Sequence, residues 1–250
     1  MPEIISPGDL ILKSVEVYKK HFNVFADFAV WFAVLGFAQW SFDIMARSLL
    51  PDRFTAAVVS QLLSIPLALL LMALLAAMID VTARAVQKKN VNFEGVLAMG
   101  MHKLIPFLWV TLLSAAAVFF GLILLVIPAF IFFVWYRYAT YITVVDDVRG
   151  FAALQASKKL VSGRFWPVAL RMAIPWLFFY VLFSFAIAVI YLLLGAAFGD
   201  PGLFFGNIGS RYSIPAAHSL VITLVPQIVS GLSLPLFMAA DLALWYDLKK

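Results

Sequence analysis

The chain has 250 residues, of which 64% are hydrophobic and 12% charged, with a formal net charge of +5 and no cysteine. A water-soluble domain carries about 25% charged residues, so this composition excludes a globule clothed by water, and the missing cysteines exclude disulfides, thiolate catalysis and Cys-ligated metals. In so apolar a chain the positive charge is read as lysine and arginine flanking membrane spans and meeting lipid headgroups, not as a nucleic-acid footprint.

The N-terminal segment predicts an amphipathic helix. Ser6 is placed as N-cap, Pro7 suits the first helical position, and Asp9 follows Ser6 by three. Ile11, Val15, Tyr18 and Phe22 share one face, and Lys13, Glu16 and Lys20 the other. Glu3, Asp9 and Glu16 ahead of the first apolar block argue against a cleaved signal peptide. A helix needs roughly 20 apolar residues to cross a bilayer core about 30 Å thick. Residues 24–46 form the first such block, with Asp27 and Asp43 near its ends and Arg47 spaced to pair with Asp43. A turn at Pro51-Asp52-Arg53 leads into a second span, residues 55–81, which contains Pro66.

Beyond the basic Arg84, Lys88 and Lys89, Asn92 is placed to cap a second amphipathic helix carrying Phe93, Leu97, Met101 and Leu104 on one side. Residues 104–145 are too long for one span and right for two. Pro128 is the expected break, because proline lacks an N–H and disfavours helix at the residue before it. The fourth span then covers residues 128–145 and ends at Asp146-Asp147, read as a cap for a third amphipathic stretch, residues 150–165. Phe151, Leu154, Val161 and Phe165 form its apolar side; Lys158, Lys159, Ser162 and Arg164 face water. A fifth span (166–198), a Gly/Pro/Asn-rich loop (199–213) and a sixth span (216–246) complete the chain.

All lysines and arginines fall on the side of the termini and amphipathic segments, except Arg47, Arg53 and Arg211 on the opposite side and Arg137 within a span. By the positive-inside rule both termini are cytoplasmic and the number of spans is even. The expected fold is an all-α polytopic bundle: six transmembrane helices and three amphipathic interfacial helices in one membrane domain. Ser14 to Phe22 and Ser157 to Phe165 share a pattern, which suggests a threefold hairpin repeat over residues 1–81, 82–147 and 148–250.

Four motifs in order carry a family resemblance. They are Lys13-Ser14 with Tyr18-Lys19-Lys20, the Ile127-Pro128 step followed by Arg137, Ala156-Ser157 through Leu160-Val161 to Gly163-Arg164-Phe165-Trp166, and the terminal Tyr246-Asp247-Leu248-Lys249. With them the chain resembles the YciC-like six-span inner-membrane proteins and the membrane domain joined to some glycerophosphodiester phosphodiesterases. The glycine that typically follows Ile-Pro in that family is Ala129 here. The resemblance implies an architecture and a cytoplasmic (inner) membrane location. The hydrolase domain of the fused relatives is not in this sequence, so no phosphodiesterase activity is implied.

Arg137 is the most informative residue. It lies about nine residues from the end of its span, roughly 13 Å at 1.5 Å per residue, and a charge at such depth costs about 2.5 kcal/mol or more unless it snorkels or pairs. Asp241 is the first candidate partner and Asp80 the second; the functional alternative is contact with an anion or lipid phosphate. The sixth span carries Pro226, Gln227 and Pro235, so freed carbonyls there need either a kinked, packed helix or a wet cavity. His21, His102 and His218 have no metal-ligand spacing. No acid–base or nucleophile set converges, and no cofactor motif is present. The candidate ligand-binding residues are therefore Arg137, Gln227, Asp241 and Asp80. The sequence points to a non-enzymatic membrane protein that handles a lipid or amphiphile or assists transport, with membrane lipids as partners; the alternative is an envelope scaffold without a ligand.

Overall fold

The computed structural model describes residues 4–91, 93–199 and 216–250, apart from the side chains of 216 and 217. Among the described residues there are nine helices and no strand: α1 (Pro7–Lys20), α2 (Phe22–Leu49), α3 (Arg53–Val86), α4 (Val96–Leu124), α5 (Val126–Tyr136), α6 (Ala139–Val145), α7 (Phe151–Val161), α8 (Phe165–Ala197) and α9 (Ala216–Leu248). Six stretches are long and apolar enough to cross a membrane: α2, α3, α4, α5 with α6, α8, and α9 from His218. The chain is a multi-pass integral membrane protein. Its apolar surface says the same thing: only 6% of the most apolar window of α8 is buried, and Leu177, Val181, Phe185 and Leu193 project outward, where lipid is the fitting solvent. The expected cap Asn92, Arg211 and residues 200–213 of the expected loop lie outside the described residues.

Short-range chemistry explains the starts of α1 and α3. Ser6 Oγ accepts the Asp9 N–H at 3.2 Å and donates to its carboxylate at 2.7 Å, closing the start of α1. Asp52 accepts both the N–H and the hydroxyl of Thr55, at 2.7 and 2.8 Å, and starts α3. These bonds hold the Asp52 carboxyl below the usual carboxylate range. The buried stripe of α1 differs from the expected one. Leu10 and Ser14 are fully buried whereas Phe22 is exposed; the Ser14 hydroxyl donates to the Leu10 carbonyl at 2.6 Å, which lets a polar residue occupy the inner face.

Several boundaries shift for identifiable reasons. The middle amphipathic segment is no separate helix: it forms the first turns of α4, which continues through Pro106. Gly100 lies in these first turns and lets α4 pack against the α3 backbone, since a Cβ there would come 2.2 Å from the Ala73 carbonyl oxygen. The turn between the third and fourth spans falls at Leu125, which is extended, three residues before Pro128. Pro128 sits in the first turn of α5, where a missing N–H costs no helical bond. Gly121 closes that hairpin, because a Cβ there would lie 2.8 Å from Ala129 Cα. Asp146 and Asp147 do not cap α7, which follows Gly150 (φ +61°) with no side-chain cap. They serve as anions instead: Asp146 pairs with Lys249 at 2.6 Å and Asp147 with Lys103 at 3.3 Å. The hydrogen bond and charge of Lys103, with Arg149 nearby, hold the Asp147 carboxyl low. On α7 the inner face is Ala153, Leu154, Ser157 and Val161, while Phe151 points outward. Arg164 does not simply face water; it donates to the Leu248 carbonyl at 3.3 Å. The sixth span is one continuous helix through Pro226 and Pro235.

The chain divides into two compact units. Unit 1 comprises Met1–Val24, Met72–Leu177 and Pro235–Lys250; its buried interior includes Leu74, Met78, Val81, Val110, Leu242 and Trp245. Unit 2 comprises Phe25–Leu71 and Phe178–Leu234; Phe25, Phe28, Phe32 and Phe179 form its interior. In unit 2 the close approach of α2 and α9 uses Gly231, where a Cβ would stand 2.5 Å from Ala29 Cα.

Replacing Gly100 by valine is expected to lower stability by about 1–3 kcal/mol through overpacking against the Ala73 carbonyl. Ala98→Val, on the exposed side of the same turn, should leave the Tm in detergent unchanged. Equal melting of the two variants would show that the close approach is absent.

Candidate functional site

The site begins with an interruption. The fourth span is two helices, α5 and α6, separated at Arg137 and Tyr138. The backbone groups opened there are met by one side chain. Ser157, fully buried on α7, donates its hydroxyl to the Trp135 carbonyl at 2.6 Å and accepts the Tyr138 N–H at 3.2 Å. A single hydroxyl thus satisfies one donor and one acceptor where neither lipid nor apolar packing could.

Arg137 turns to Asp241 of α9, whose side chain is 1% exposed. Asp241 Oδ2 accepts from Arg137 Nη2 at 2.5 Å and Nε at 3.1 Å, and from the Tyr141 hydroxyl at 2.9 Å. Trp176 Nε1 lies 3.3 Å from both carboxylate oxygens. The guanidinium stands 4.5 Å from the Trp176 ring centroid and 5.8 Å from that of Phe133, a cation–π arrangement that substitutes for part of its hydration. Phe237 packs at 4.6 Å against the other partner in this stack, Trp176. The carboxylate is thus saturated with donors, and the arginine is not: Nη1 has no acceptor among the described residues.

Arg137 also lines a groove of about 490 Å³ between α4 and the fourth span. Val118, Phe119, Leu122 and Phe133 make its apolar wall, and Thr111, Ser114 and Thr140 add hydroxyls. The Thr111 and Ser114 oxygens are buried in that wall with no hydrogen-bond partner among the described residues. The result is amphipathic: a long apolar trough that meets one cation and a few hydroxyls.

Of the four residues singled out in the sequence, Arg137 and Asp241 come together. Asp80 does not join them; it pairs with Arg84 at 2.6 Å one turn along α3. Gln227 belongs to unit 2 and lines a different cavity, which shares no residue with the Arg137 groove. Sequence reasoning missed Tyr141, Trp176 and Ser157. The available signal was slight: Tyr141 lies four residues after Arg137, about one helical turn on, and Trp176 carries none. Comparison with known protein families, curated proteins and solved structures found no match.

Removing one member of a buried ion pair leaves the other uncompensated, at a cost of about 3–5 kcal/mol. Arg137→Met alone is therefore expected to destabilise strongly, and Arg137→Met combined with Asp241→Asn to recover part of the loss, as measured by thermal unfolding in detergent. Simple charge reversal is a poorer test, since Tyr141 and Trp176 both aim donors at position 241. A double variant that melts below both singles would refute the pairing energetics.

Proposed function

We propose that the protein is a non-enzymatic component of the cytoplasmic membrane that holds an anionic amphiphile, its chain along the α4 groove and its headgroup at Arg137. The observation that carries this reading is the asymmetry of Arg137, which is saturated on the Asp241 side and faces an apolar trough on the other. An acyl chain fits Val118, Phe119 and Leu122, and a single negative charge fits an arginine whose Nη1 lacks an acceptor. The resemblance to YciC-like membrane proteins supports the same setting, and so does the grouping of lysines and arginines with the two termini. A scaffold without a ligand is the second reading. The completeness of the Asp241 cluster favours it, since four donor contacts already satisfy that carboxylate.

Native mass spectrometry separates the two. Wild-type protein purified in mild detergent should retain an anionic lipid. Ala115→Phe, which fills the groove without touching the ion pair, should lose it at unchanged Tm. Retention by the filled variant, or no bound lipid on the wild type, would leave the scaffold. For orientation, reporters active only in the cytosol should both signal when fused to either terminus; one silent fusion on a folded protein refutes the arrangement.

A further inference from the structure

Unit 2 holds a polar cavity of its own, about 450 Å³, where an apolar bundle would be expected to be solid. Gln39 and Asp43 of α2, Gln61 of α3 and Gln227 of α9 line it, with Trp40 and Thr223. It reaches well into the spans: Gln39 stands ten residues before the end of α2, and Gln227 eleven after the start of α9, each roughly 15 Å along its helix at 1.5 Å per residue.

Two of these groups are internally satisfied. Trp40 Nε1 donates to Ser219 Oγ at 2.9 Å, and Thr223 Oγ1 to the Ser219 carbonyl at 2.9 Å. The three glutamine carboxamides are not: among the described residues Gln39, Gln61 and Gln227 have no hydrogen-bond partner. Gln227 is held in place, since a Cβ on Gly36 would come 2.8 Å from its Cγ. Carboxamides offer both donors and acceptors, and because Gln61 is exposed and Gln39 and Gln227 are half-buried, all three are open to a guest in the cavity. The charges in the wall cancel, because Asp43 is paired with Arg47 one turn on. The groups left unmet in the wall are therefore neutral carboxamides, which match an uncharged guest.

We propose that this cavity binds a small uncharged solute rich in hydroxyl groups, a polyol, with the carboxamides of Gln39, Gln61 and Gln227 as its hydrogen-bonding partners. The proposal stands apart from the amphiphile reading: it concerns other residues in the other unit.

The absence of cysteine makes the test direct, because Thr223→Cys or Ala57→Cys, which line the cavity and leave the three carboxamides in place, introduces a unique thiol. In nanodiscs, the neutral reagent hydroxyethyl methanethiosulfonate should modify either thiol about tenfold faster than Val34→Cys, which sits on the exposed apolar face of α2. Sorbitol should slow modification at both cavity positions, about threefold at twice its Kd. Gluconate and N-methylglucamine, anionic and cationic molecules of similar size and hydroxyl content, should not slow it at the same concentration. Cavity thiols as unreactive as Val34→Cys, no slowing by sorbitol, or equal slowing by all three solutes would each overturn the proposal. The two cavity positions keep the test decisive if one variant fails to fold.

Discussion

A carboxylate that is 1% exposed inside apolar helices has to be met by donors, and the arrangement around Asp241 follows from that requirement. The donors come from three helical segments: the guanidinium from the junction of α5 and α6, the phenol from α6 and the indole from α8. Each also contributes apolar bulk, so the cluster works as packing as well as electrostatics. Tyr141 is 4% exposed, and Trp176 stacks on both the guanidinium and Phe237. One charge pair therefore ties the fourth, fifth and sixth spans of unit 1 together. It does so with a geometry that simple apolar packing in lipid, where no hydrophobic drive joins helices, would leave undetermined.

The same logic explains the use of small residues. Between helices in a membrane, affinity comes from van der Waals fit and hydrogen bonds, and both grow as backbones approach. Among the described residues, Gly100 against Ala73, Gly121 against Ala129 and Gly231 against Ala29 are places where a side chain would collide with backbone. At Gly121 and Ala129 the small side chains lie across a hairpin: the glycine sits on the α4 side, and alanine on the α5 side is small enough to be approached.

Much of this was legible in the sequence, because the bilayer imposes a length and an apolarity that local composition reveals directly. The spans and the α1 cap at Ser6 follow from residue type and spacing, and for Arg137 these narrowed the partners to Asp241 and Asp80, between which the structure chooses. The shortfall lies where tertiary contact overrides local preference. Ser14 and Ser157 look like solvent-facing residues, yet both are fully buried, because their hydroxyls find backbone partners that a one-dimensional pattern does not display. The close approach of α4 to α3 at Gly100 is a distance between helices, which no periodicity encodes. At the candidate site the charged pair was readable because charges in spans are rare. The aromatic donors were not, because tyrosine and tryptophan are common at membrane interfaces for unrelated reasons.

The positions of helix breaks make the point most sharply. Proline is the usual signal for an interruption, and α9 carries two, yet α9 is unbroken; the fourth span breaks at Arg137 and Tyr138, where there is no proline. What decides is whether the opened groups find partners inside the protein. Pro226 has no N–H for the Ile222 carbonyl, and that oxygen accepts the Tyr191 hydroxyl at 3.3 Å, so the helix continues with its backbone satisfied. In the fourth span the Ser157 hydroxyl bonds both sides of the gap, giving the Tyr138 N–H and the Trp135 carbonyl a partner. A break in a membrane helix is thus a property of two segments, and here the second segment is an amphipathic helix that begins only after the span has ended. The consequence reaches the site, because the residue placed at the break is Arg137, whose guanidinium meets Asp241 and lines the groove.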